Sequence, residues 1–286
     1  MRKFTILIIF VTVIFSLVVS NISVGQVLLD ENFSYPAGDL ITSWGWTAHS
    51  GAGTQAITVN NGGLTFSGYI DSGIGNAALV DNNGEDDNKG FTAQTSGVVY
   101  TAFMVNVTTT AAGYFFHLGG NPIGTIFRGK VFMDATNHFG VSVGSNTGTF
   151  ATSTYNLGTT YLLVLKYEIV AGTNNDIVSL FIFDTSAPTT EPGAPTIGPL
   201  TDATQTDINP ACVAMRQFSA TQNLLLDGIR VGLTWADVIP PLATPSLSTT
   251  VSTLTGFQYI VGAGPSVSQS YNLSGSNLIT HTKGNS

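Results

Sequence analysis

The sequence predicts an all-β protein, a sandwich or barrel of antiparallel strands. Three observations carry this reading. Charged residues are 9% of the 286-residue chain, against about 25% in an average soluble domain. That is too few for the charged outer faces of a helical bundle. Glycine occurs 32 times, about twice its usual share near 7%, and falls with Asn, Asp and Thr between short apolar segments. Outside residues 1–25, no segment of helix length repeats its apolar residues with a period of 3.6. Apolar residues, at 43%, are sufficient for a core.

The first element stands outside the fold. Arg2 and Lys3 precede an apolar run over residues 4–19 and a polar stretch over 20–26. A positive start, an apolar middle and small residues at the end define a secretory signal peptide over 1–25, cut after Gly25. The rival is an uncleaved anchor. The run is at the short edge of a spanning helix, and small polar residues follow it. Cleavage is therefore expected, which places the protein outside the cell or on its outer surface, with no membrane association afterwards.

Strands follow at short intervals. Residues 27–33 make the first. Residues 54–60 and 63–69 flank Asn60-Asn61-Gly62-Gly63, whose residues accept positive φ, so a hairpin is expected there. Residues 77–80 form a short strand. In residues 97–107 the alternation puts Val99, Thr101, Phe103, Val105 and Val107 on one face. Residues 114–118, 125–134 and 139–144 come next. Residues 161–170 and 176–183 are the cleanest strands, joined by Ala171-Gly172-Thr173-Asn174-Asn175. Residues 213–218 and 224–234 close the series.

Two breaks divide the chain. Residues 186–200 hold Pro188, Pro192, Pro195 and Pro199 and are expected to form a surface crossover rather than a central strand. Pro240-Pro241-Leu242-Ala243-Thr244-Pro245 reads as a stiff linker. The organisation is thus a sandwich over 26–239, a Pro-rich linker over 240–245, and an incomplete β-module over 246–286. The last segment holds too few strands to bury a core alone.

Charge narrows the partners. The 9 Lys and Arg against 17 Asp and Glu give a net charge of −8. Without Arg2 and Lys3 the balance is 7 against 17. Such a chain has no electrostatic footprint for nucleic acid or for anionic lipid. The single cysteine, Cys212, sits in an apolar run and is expected to be a small core residue.

Residues 26–238 resemble, in order, the concanavalin A-like, laminin-G-like jelly-roll modules of secreted Bacteroidetes proteins. The matching stretches are Leu28-Leu29-Asp30-Glu31-Asn32-Phe33, Gly75-Asn76-Ala77-Ala78-Leu79 and Gly84-Glu85-Asp86. They continue with Tyr114-Phe115-Phe116-His117-Leu118-Gly119, Phe127-Arg128-Gly129-Lys130-Val131 and Tyr161-Leu162-Leu163-Val164-Leu165-Lys166-Tyr167. The most specific is the closing Leu226-Asp227-Gly228-Ile229-Arg230-Val231-Gly232-Leu233-Thr234-Trp235-Ala236-Asp237. Leu254-Thr255-Gly256-Phe257 and residues 264–271 resemble the opening of an Ig-like module. The resemblance implies a jelly roll of two packed antiparallel sheets and a secreted or cell-surface role, without a defined reaction.

Four kinds of chemistry were weighed. The acidic loop over 81–88 packs four carboxylates into seven positions, and Asp81, Asp86 and Asp87 are the candidate ligands for Ca2+. Its bland alternative is a solvated loop. Carboxylate-pair hydrolysis lacks material, because after the leader only Glu31, Glu85, Glu168 and Glu191 remain and none are close in sequence. A Ser-His-Asp hydrolase lacks its Gly-x-Ser-x-Gly elbow, and His117 reads as a packed strand residue. Sugar binding has a candidate platform in the loop-like stretch 43–53, with Trp44, Trp46 and His49 as ligand-binding residues. The alternative there is that the tryptophans cover one end of the sandwich. The expected role is a non-catalytic binding or adhesion module for a polysaccharide or cell-surface glycan. A structural spacer, or an accessory domain of a glycan-active enzyme, is the alternative.

Overall fold

A computed structural model describes residues 26–242, 246–250, 253–255, 257–265 and 268–276. The expected signal peptide over 1–25 lies outside the described residues, as do parts of the linker and of the C-terminal segment.

The strands, in chain order, are β1 (Val27–Glu31), β2 (Thr47–Ser50), β3 (Thr58–Asn60), β4 (Ala77–Val80), β5 (Asp86–Gly90), β6 (Gly97–Thr109) and β7 (Gly113–Gly119). They continue with β8 (Arg128–Met133), β9 (Phe139–Ser142), β10 (Thr149–Phe150), β11 (Thr160–Ile169), β12 (Ile177–Phe183), β13 (Ile197–Leu200), β14 (Cys212–Met215) and β15 (Asn223–Gly232). An eight-stranded sheet has the order β13-β12-β11-β6-β15-β4-β3, with β1 also on β15. A seven-stranded sheet has the order β10-β9-β8-β7-β14-β5-β2. All pairings are antiparallel. Two such sheets packed face to face make the jelly-roll sandwich that the resemblance implies.

The long strands form because their apolar residues serve two faces. Val99, Phe103, Val105 and Val107 of β6 enter the core between the sheets, beside Phe116, Leu163 and Leu165. The alternate residues Tyr100, Ala102 and Met104 enter a second apolar cluster on the outer side of the eight-stranded sheet. Leu64, Phe66, Tyr69 and Trp235 cover that side. The short helix α1 (Trp235–Val238) begins on a capping box between Thr234 and Asp237. The outer face of the eight-stranded sheet is thus clothed by its own chain.

That cover corrects the expected hairpin. Residues 63–69 are not a strand, and β3 pairs with β4 instead. Their backbone groups go to side chains and loops. The Leu64 amide donates to Asp227 Oδ2 at 2.7 Å, the Phe66 amide donates to Ser72 Oγ at 2.8 Å, and the Tyr69 hydroxyl donates to the Gly228 carbonyl at 2.6 Å. A segment satisfied this way has no need of a strand partner. The resemblance motif at Gly75 has a steric reason. Its φ is +70°, and a Cβ there would lie 1.9 Å from the Asn32 carbonyl oxygen.

Other differences are local. The Pro-rich crossover ends in β13, an edge strand where Pro199 forfeits no central ladder bond. The stretch expected to be a loop over 43–53 contains β2, and the expected acidic loop runs into β5. Beyond the linker, β16 (Ser246–Thr249) pairs with β19 (Leu273–Ser276), and β17 (Tyr259–Ile260) with β18 (Gly264–Pro265).

Candidate functional site

The outer face of the seven-stranded sheet carries the site, and a bulge in β7 creates it. The pairing of β7 with β8 shifts register between Tyr114 and Phe116. Phe115 and Phe116 therefore both join the core. Tyr114 and His117, on either side of them, meet edge to face at 5.8 Å. A regular strand would send positions three apart to opposite faces.

Rings continue from this pair across the sheet. His117 meets His49 of β2 at 6.0 Å and stacks on Phe127 at 4.2 Å. Tyr114 meets its cross-strand partner Phe132 of β8 at 5.7 Å, and Phe132 meets Phe150 of β10 at 6.1 Å. The row spans the sheet from one edge strand to the other. Gly140 makes room for it, since a Cβ there would lie 2.6 Å from the Phe150 ring.

Two cations flank Tyr114. Lys130 Nζ lies 4.6 Å from the ring centroid and Arg216 Cζ lies 4.1 Å from it. Arg216 also sits 5.2 Å from the Phe218 ring. Such contacts stabilise a cation over a ring face. Lys130 donates to Asn146 Oδ1 at 2.8 Å. Burial, then the nearby charges of Arg128 and Arg216, pull its pKa down to about 8. Burial raises the Tyr114 hydroxyl, and Arg216 works against that rise. His117 is fully buried, and burial pushes it down to about 3, so it is neutral at physiological pH. Its Nε2 has no hydrogen-bond partner among the described residues.

Two depressions lie on this face. One, of about 320 Å³, is lined by Tyr114, Asn146, Arg216 and Phe218 among others. The other, of about 270 Å³, is lined by Thr47, His49, Asn88, Asn121 and Pro122 among others.

The residues expected from the sequence are not all gathered here. His49 is on this face, beside Asn88. Trp46 is inside the sandwich at 3% exposure, stacked on Phe33 at 5.7 Å and donating to Glu31 at 3.1 Å. It offers no face to a ligand. Trp44 is exposed, with its ring stacked on Tyr35 at 4.9 Å and its Nε1 donating to Asp39. Among the described residues it shares no ring contact with His49.

Asp81, Asp86 and Asp87 do not converge. Asp86 and Asp87 are successive residues of β5, so they face opposite sides. Asp86 accepts from the Gln217 amide at 2.8 Å. Asp87 is in register with Met215 and faces the core with it. Asp81 precedes the strand, and its amide donates to Gln217 Oε1. Among the described residues no group of three or more His, Cys, Asp or Glu is arranged to hold a metal ion.

Of the glutamates, Glu31 is bonded to Lys89, while Glu168 and Glu191 both pair with Lys166. Glu85 is buried beside Asp87. Cys212 is a buried free thiol, and burial pushes it up to about 12, which makes it unreactive.

No family model matches the chain, and no curated protein matches it. Solved structures do. The globular domain of Trypanosoma cruzi calreticulin is 12% identical, with 75% of this chain and 91% of that one aligned at a TM-score of 0.44. An endo-1,3-beta-glucanase from Streptomyces sioyaensis is also 12% identical, with 74% and 98% aligned at 0.44. Domain 4 of an extracellular arabinanase from Geobacillus stearothermophilus, solved with arabinotriose, is 15% identical, with 75% and 97% aligned at 0.36. At these values the likeness is one of fold alone. Fold and site together define a jelly-roll β-sandwich with a ring-lined, cation-flanked outer sheet face.

Proposed function

We propose that this chain is a non-catalytic carbohydrate-binding module acting outside the cytoplasm, with the outer face of the seven-stranded sheet as its sugar site. The observation that carries this reading is the two depressions at the ring row, one lined by Tyr114, Asn146, Arg216 and Phe218 and the other by His49 and Asn88, with the buried His117 and Phe132 packed behind them. Ring faces pack against the apolar faces of sugars, and amides and imidazoles bond the hydroxyls. Asn88 and Asn146, which line the two depressions, are the groups suited to that second task. The leader-like residues 1–25 support export.

Tyr114 is the test. Affinity gel electrophoresis through a panel of polysaccharides is expected to show retardation of the native protein in at least one gel. Tyr114→Ala should weaken that retention about tenfold, a loss of about 1.4 kcal/mol, and Tyr114→Phe should keep most of it. Equal retention of a folded Tyr114→Ala protein would refute the assignment of this face.

A further inference from the structure

The cations of this acidic chain are not used alike. Six Lys and Arg lie in residues 26–242. Lys89, Lys166 and Arg230 each form ion pairs with carboxylates. Arg128 donates to the carbonyls of Thr206 and Phe127, and Asp207, Asp202 and Asp176 act on it from nearby. Lys130 and Arg216 form no ion pair within 4.0 Å among the described residues.

These two flank the same ring. Arg216 lies over Tyr114 and Phe218, and no hydrogen bond of its guanidinium is found among the described residues. Asp86 is close enough to feel its charge but forms no ion pair with it within 4.0 Å. Lys130 is only 6% exposed and reaches one neutral acceptor, Asn146. Burying a cation such as Lys130 without a paired carboxylate costs several kcal/mol. Residues 26–242 hold 17 carboxylates against these six cations, yet none lies within 4.0 Å of Lys130 or Arg216.

We infer that the depression between Tyr114, Asn146, Arg216 and Phe218 receives an anionic substituent of a sugar, so that the module selects acidic polysaccharides over neutral ones. The inference rests on the sugar-site reading above and names its ligand class. A carboxylate or sulfate entering there meets a guanidinium fork held in place by two rings, with the Lys130 ammonium 4.6 Å from the Tyr114 ring centroid. Its volume of about 320 Å³ suits one substituted sugar ring rather than a large cofactor. The chain's overall negative charge gives no general attraction for polyanions, so any such affinity must be local.

The test uses three probes: polygalacturonate for carboxylate, dextran sulfate for sulfate, and unsubstituted dextran. Calorimetry on the full chain is expected to give at least tenfold tighter binding to one of the polyanions than to dextran. The preferred polyanion identifies which anionic group is recognised. Salt should weaken that binding, since it screens exposed charge pairs. Arg216→Gln and Lys130→Gln should each lower polyanion affinity about tenfold, and Arg216→Lys should restore part of it. The salt titration needs no variant and so does not depend on their folding. If dextran binds as well as the polyanions, without salt dependence and still through Tyr114, the sugar site stands and this inference falls. If no polysaccharide of any charge binds, both fall.

Discussion

Replacing Glu31 with alanine is expected to lower the unfolding free energy by about 3–5 kcal/mol. Glu31 is 3% exposed and accepts four hydrogen bonds. They come from the Phe33 amide at 2.8 Å, the Tyr35 hydroxyl at 2.7 Å, Trp46 Nε1 at 3.1 Å and Lys89 Nζ. These ties join β1, in one sheet, to β5, in the other. Removing the carboxylate leaves a partly buried ammonium without its counter-charge and a buried indole N–H without its acceptor. Glu31→Gln keeps one acceptor oxygen but turns the other into an NH2 donor that faces a donor, so it should recover at most about half of the loss. Urea unfolding followed by tryptophan fluorescence measures both, with Trp46 at the hub as reporter. A loss below about 1 kcal/mol for the alanine variant would show that the hub is not a structural tie.

The second large effect is one of pH. Asp87 is completely buried, and neither of its oxygens accepts a hydrogen bond from another described group. Burial, reinforced by the Glu85 carboxylate beside it, pushes its pKa up from 3.8 to about 7. The folded protein therefore holds a proton that the unfolded chain has already released. Stability from this group is complete below about pH 4 and is lost as pH rises through 7. Asp227, pushed up to about 8 mainly by burial, acts in the same direction. His117, pushed down to about 3, acts in the opposite direction, but its contribution is complete above about pH 6.5. Between pH 6.5 and 8.5 the carboxyl groups dominate and stability should fall by roughly 1–3 kcal/mol, offset in part near pH 8 by Lys130, whose lowered pKa acts in the opposite direction. Asp87→Asn, neutral throughout, should flatten this fall and be more stable than the native chain at the upper end. Parallel stability curves for the two proteins would remove Asp87 from the account.

Much of the fold was legible in the residues. The strands β6, β11, β12 and β15 carry enough apolar residues to serve a buried face whatever their neighbours do. β5 was not legible. Its residues Asp86-Asp87-Asn88-Lys89-Gly90 are polar and read as a loop. It is a strand because β14 and β2 offer it backbone partners on both sides. Residues 63–69 failed the other way, since their alternation serves the outer cover and not a ladder.

The site was legible only at His49. Its other parts come from distant segments: Tyr114, Lys130 and Arg216 lie on or beside β7, β8 and β14 and meet only through strand order. The bulge that turns both Tyr114 and His117 outward breaks the alternation that a reader of sequence relies on. A faint signal existed in the charge count. With so few cations in the chain, Arg128, Lys130 and Arg216, which lie in two apolar strand segments, invited the question of what they face.

Sugar is expected to bind at the depressions along the ring row of the seven-stranded sheet. Hydrogen–deuterium exchange, with and without the polysaccharide that retards the protein best, tests it most directly. Protection is expected in peptides covering residues 47–50, 86–90, 113–119, 128–133 and 212–218. Peptides covering 63–75 and 235–239, on the far side of the other sheet, should be unchanged. Protection confined to residues 39–46 around Trp44, with none in residues 113–133, would contradict it.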